Sequence, residues 1–111
     1  MSKLTAIGIL LVAAIFEAGG DALVRVALHQ QATALRWLAF LGGAAILFSY
    51  GVIVNTPDWD FGRLLGLYVV FFFVIAQVMS WVFFHHTPST STLVGGTLIV
   101  IGGIVLGVAN V

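Results

Sequence analysis

Four long apolar stretches, separated by three short polar breaks, take up nearly the whole chain. The first covers residues 4–26 and the second 35–54, with His29-Gln30-Gln31 in the break between them. Asn55-Thr56-Pro57-Asp58-Trp59-Asp60 leads into a third stretch at 62–84. His85-His86-Thr87-Pro88-Ser89-Thr90-Ser91 leads into the fourth, at 92–111. A helix rises about 1.5 Å per residue, so about 20 apolar residues cross roughly 30 Å of hydrocarbon. Each stretch has that length. The pattern predicts an all-α integral membrane protein: four transmembrane helices forming a single domain over residues 1–111. Helices satisfy their own backbone in lipid, and no alternating barrel pattern is visible. Connections this short force successive helices to run antiparallel. The Thr/Ser run after His86 is placed to cap the fourth helix.

Composition agrees with this reading. The 111 residues are 61% hydrophobic and 7% charged, whereas a soluble domain carries about 25% charged residues. Four acids and four bases cannot coat a globule, and four spans leave no room for a soluble domain. Cysteine is absent, which removes disulfides and thiolate metal sites. The net charge is zero and no basic footprint suggests a nucleic-acid partner. Lys3 and the apolar run after it have the outline of a signal peptide. The run continues past Glu17 with no small-x-small site, so no cleavage is expected. Trp37, Trp59 and Trp81 fall near span ends, as an interfacial aromatic belt would.

Charge is balanced across the membrane. An even number of spans puts both termini on one side, with Lys3 and Arg63, and leaves Arg25 and Arg36 on the other. Two bases against two give the positive-inside rule nothing to act on. The expectation is insertion in both orientations and pairing as an antiparallel dimer.

The candidate chemistry lies in the first span. Glu17, Asp21 and Arg25 are spaced four and four, one stripe on one helix face. An ionisable group at bilayer depth is costly and usually faces a bundle interior or a water-filled cavity. Asp21 and Arg25 lie toward the span end and are expected to pair with each other. Glu17, about two thirds of the way along, is then left without a basic partner on its own helix. Low dielectric disfavours the charged form of an unpaired carboxyl, so such a group can hold a proton, release it, and hold a cation instead. Ala13, Ala14 and Gly20 are the small neighbours on that face. They either let another helix approach or leave room for a ligand, and they are assigned as cavity lining. Tyr68 in the third span has a hydroxyl that needs a partner, and its ring can also face a cation. Tyr50 is a weaker candidate for the same role.

The fourth span carries glycines at Gly95, Gly96, Gly102, Gly103 and Gly107. Small residues at these intervals let backbones pack closely, and this strip is read as a dimer interface. Adjacent His85 and His86 lack acidic or cysteine companions, so no metal site is assigned. With no nucleophile–base pair, phosphate-cradling loop or catalytic carboxylate pair, neither an enzyme nor a cofactor is expected.

The run from Glu17 through Gly20 to Arg25 resembles the first helix of the small multidrug resistance family, within the drug/metabolite transporter superfamily. Ser80-Trp81-Val82-Phe83-Phe84 is similar to that family's third-span ending, and Gly96 to Gly103 to its fourth-span dimerisation strip. Gly62-Arg63 followed by Tyr68 looks like the YnfA-type branch. The resemblance covers the whole chain. It implies a multi-pass protein of the bacterial plasma (inner) membrane that acts as a homodimer. It also implies proton-coupled antiport, in which glutamates corresponding to Glu17 bind either protons or one small cationic, quaternary ammonium or guanidinium-like substrate. Tyr68 falls where the family has an aromatic residue lining the site. Three features depart from the pattern. Val70-Phe71-Phe72 stands where the family has a Gly-x-Gly bend, Asp21 replaces an uncharged residue, and the loop around Asp58 and Asp60 is more acidic than the family's. The end of the chain, from Gly102 to Gly107, is similar to small flippase subunits, so a flippase or accessory subunit for lipid-linked cargo is a second reading. A non-transporting structural membrane protein or passive channel is a third.

Overall fold

The computed structural model describes residues 1–108. α1 runs Lys3–His29, α2 Thr33–Val54, α3 Phe61–Phe84 and α4 Thr90–Val108. All four are long and apolar enough to cross a membrane. Residues 109–111, where the fourth apolar stretch ends, lie outside the described residues.

Side chains at the polar breaks start the helices. Ser2 Oγ accepts the Thr5 amide at 3.1 Å, Asp60 Oδ2 the Arg63 amide at 3.1 Å, and Ser89 Oγ the Thr92 amide at 3.2 Å. Caps of this kind are worth about 1 kcal/mol each. Inside the helices, the Ser49 and Thr97 hydroxyls donate to the carbonyls of Ala45 and Leu93, which pairs those protons within lipid. α3 ends at His85, with φ 58° and ψ 30° in the left-handed region, where glycine is the usual occupant. The next amide, of His86, donates to the Ser80 carbonyl at 3.0 Å.

α1 is longer than its apolar stretch. His29 Nδ1 hydrogen-bonds the Arg25 carbonyl at 2.8 Å, so the last turn stays helical through residues expected in a loop. The helix has 27 residues, about 40 Å of rise. Its midpoint falls at Phe16, so Glu17 sits beside the middle of the helix.

The helices pack in a row: α2 on α1, α1 on α3, and α3 on α4. The resulting slab measures 50 × 34 × 18 Å, thin enough that no helix is enclosed by the others. Its radius of gyration is 15.5 Å, against about 13 Å for a compact domain of this length. The small core gathers Leu10, Ala13, Ala14, Val54, Leu64 and Tyr68 from the first three helices. Elsewhere large apolar side chains face outward, Phe48 at 75% exposure being one, which only lipid makes favourable. Trp37 and Trp81 are exposed near helix ends, as a belt requires, whereas Trp59 packs against the core.

Close backbone approach makes two of the seams. A Cβ added at Gly20 would lie 2.7 Å from Leu47 Cγ and 3.3 Å from the Gly43 carbonyl oxygen. One added at Gly43 would lie 2.9 Å from Val24 Cγ2 and 3.2 Å from the Gly20 carbonyl oxygen. The α1–α2 seam needs both glycines. Between α3 and α4, a Cβ at Gly96 would lie 2.5 Å from the Phe73 ring, one at Gly103 would strike Val70, and one at Gly107 would touch Leu67 at 3.4 Å. This corrects the reading of the α4 glycines as one strip between protomers. Gly96, Gly103 and Gly107 receive α3 of the same chain. Of the α4 glycines, Gly95 and Gly102 have open space beside them, with nothing within 4 Å.

Candidate functional site

Glu17 and Tyr68 lie 51 positions apart in sequence, and the fold brings them together. α1 and α3 run parallel, and the Tyr68 hydroxyl donates to Glu17 Oε1 at 2.8 Å. Tyr68 is 4% exposed, so its ring is fixed by the core and its hydroxyl is aimed. The Tyr50 ring of α2 lies 5.6 Å from the Tyr68 ring, and Phe72 of α3 lies 6.3 Å from it on centroids. All three candidates from separate helices (Glu17, Tyr50 and Tyr68) thus form one cluster near the middle of α1. Among the described residues no basic side chain pairs with Glu17. A carboxyl accepting one phenolic hydrogen bond keeps its other oxygen for a proton or a cation.

Asp21 lies one turn further along α1 and is exposed. The expected ion pair with Arg25 does not form. The Arg25 guanidinium lies over the Phe84 ring instead, 5.3 Å from its centroid. A ring face attracts the cation, and the end of α3 supplies one within reach. Both charges line a groove of about 240 Å³ between α1 and α3, together with Ser80 and His86.

The cavity-lining assignment of Ala13, Ala14 and Gly20 is corrected. Ala13 and Ala14 are fully buried within the core, and Gly20 is filled against Leu47 of α2. Their small size admits neighbouring helices. The groove is lined instead by Ala18, Ala22 and Ala76, with Phe72, Met79 and Phe84. Ala18 and Ala22 follow Glu17 and Asp21 by one residue each, and that register was the available signal. α3 is an unbroken helix through Val70-Phe71-Phe72.

Comparison with known proteins supplies the family. No family model matches the chain, and no solved structure does. A UPF0060 membrane protein of Staphylococcus haemolyticus is 32% identical over 100 residues, covering 89% of this chain and 90% of the relative. One from Clostridium beijerinckii is 31% identical over 98 residues, 86% of each chain. Another, from Clostridium perfringens, is 28% identical over 108 residues, 96% of this chain and 95% of the relative. Those descriptions give a membrane location and no substrate. They agree with the YnfA-type part of the resemblance and, with four apolar helices, with a multi-pass protein of the bacterial plasma membrane. The chain belongs to the UPF0060 family of membrane proteins.

Proposed function

We propose that this protein is a carrier, not an enzyme, which exports a small quaternary ammonium or guanidinium-like cation in exchange for protons. The observation that carries the reading is the Glu17–Tyr68 hydrogen bond beside the midpoint of α1. An ionisable group at that depth is costly to keep. Here it has an aligned donor and, among the described residues, no basic partner. Such a carboxyl alternates between a proton and a cation, and the Tyr50 and Tyr68 rings offer π-faces to the cation. Asp21 adds negative charge on the approach.

The working unit in this reading is an antiparallel homodimer. Three features favour it: the slab is only 18 Å thick, the basic residues divide two against two, and Gly95 and Gly102 have open space beside them. A second copy would bring its own Glu17 to the shared centre.

The test uses Glu17→Gln in proteoliposomes under a pH gradient, with radiolabelled tetraethylammonium and guanidinium as probes. Wild type is expected to exchange at least one of them for protons and the variant neither. Equal exchange by both proteins removes the mechanism. The amide still accepts the Tyr68 hydroxyl, so the variant is expected to fold.

A further inference from the structure

The groove beside Asp21 has features that a site for a simple cation does not need. Opposite charges one turn apart on one helix face ordinarily pair. Here Arg25 rests on Phe84 and Asp21 is left exposed, so both charges line the groove without neutralising each other. The groove is also graded along its length. Arg25, Phe84 and His86 belong both to this groove and to a second one nearer the end of α1, where Val26, His29 and Gln30 complete the lining. The acidic group is therefore the inner one, and the basic groups lie toward the membrane surface. The inner walls are Ala18, Ala22, Ala76 and the Phe72 ring.

A lone cation in this groove would meet Arg25, and a lone anion would meet Asp21. A ligand that carries both charges a few ångströms apart satisfies both. We propose that the α1–α3 groove is a binding site for a zwitterion, with its ammonium on Asp21 beside the Phe72 ring and its carboxylate or phosphate on Arg25 and His86. Quaternary ammonium suits the inner end, because apolar walls and ring faces hold a charge that cannot hydrogen-bond. The anionic end meets a guanidinium, which binds carboxylate and phosphate in bidentate fashion. The ligand is either a free solute or the headgroup of a zwitterionic lipid. The site is separate from Glu17 and does not rest on the proton-exchange reading.

The probe is trimethylglycine, titrated calorimetrically into the full-length protein in maltoside detergent with no pH gradient. Choline, which has only the positive end, and acetate, which has only the negative end, are the comparisons. Trimethylglycine is expected to bind at least about tenfold more tightly than either, since each end contributes a charge-assisted contact. Asp21→Asn and Arg25→Gln are each expected to weaken it about tenfold or more. Arg36→Gln is the control. Its guanidinium also lies on a ring, that of Phe40, but no acid precedes it by one turn, and binding should stay within about twofold of wild type. Absent binding, choline binding as tight as trimethylglycine, or binding that survives both Asp21→Asn and Arg25→Gln overturns the proposal. The wild-type comparison needs no variant, so it decides even where a variant does not fold. Repeating the titration in nanodiscs separates the two ligand sources. Competition from phosphatidylcholine, absent with phosphatidylglycerol, supports the site and assigns it to a headgroup. Equal binding in both lipids supports it as a site for free solute. Because no transport is measured, loss of proton exchange leaves this result standing, and the reverse also holds.

Discussion

Tyr68→Phe removes one atom from the centre of the protein and leaves the packing in place. The ring is 4% exposed and set in the core, and phenylalanine fills the same space. What disappears is the 2.8 Å hydrogen bond to Glu17 Oε1. Hydrogen bonds between membrane helices average about 0.6 kcal/mol and reach about 1.7 kcal/mol. A well-aligned phenol on a carboxyl belongs in the upper part of that range, about 1 kcal/mol or more. Unfolding in mixed micelles of rising dodecyl sulfate content measures the loss. Two further backgrounds tie it to Glu17. In Glu17→Gln the amide oxygen still accepts, so Tyr68→Phe should again cost about 1 kcal/mol. In Glu17→Leu no acceptor remains, and the same substitution should cost nothing or stabilise, because it removes an unpaired hydroxyl. An equal cost of Tyr68→Phe in the Glu17→Leu background would refute the pairing, since the hydroxyl would then be bonding elsewhere.

Other expectations use the same unfolding assay. Gly20→Ala and Gly43→Ala should each destabilise by about 1–2 kcal/mol, overpacking outweighing the gain in helix propensity. Gly51→Ala meets nothing within 4 Å and should be neutral or stabilising by up to about 1 kcal/mol. Equal effects at all three positions would contradict the close α1–α2 seam. His85→Gly should stabilise by about 1 kcal/mol, because it relieves a left-handed φ of 58° on a residue with a side chain. A loss of stability there would mean that the His85 side chain compensates for its backbone.

The apolar runs made the four spans legible, because length and hydropathy are local properties. Glu17 and Tyr68 were legible as polar groups set within apolar helices. Their contact was not, since nothing local aligns residue 17 with residue 68. The end of α1 was missed for a related reason: His29 looks like loop, and its bond to the Arg25 carbonyl keeps it helical. Helices apolar on every side give no periodic signal for which face meets which neighbour. That is why Gly20 read as space beside the carboxyl when it is the seat of Leu47. It is also why the α4 glycines read as one strip when Gly96, Gly103 and Gly107 face α3 and Gly95 and Gly102 face open space. Arg25 was assigned to the acid one turn away, and it took a ring 59 positions along the chain.

The central claim is that one carboxyl, Glu17, holds either a proton or a cation. Proton release from purified protein in weakly buffered detergent tests it most directly. Adding tetraethylammonium or guanidinium to wild type should release protons in a saturable way and acidify the solution, while Glu17→Gln under the same additions should release none. Saturable cation binding with no proton release from wild type, or equal release from both proteins, would contradict it.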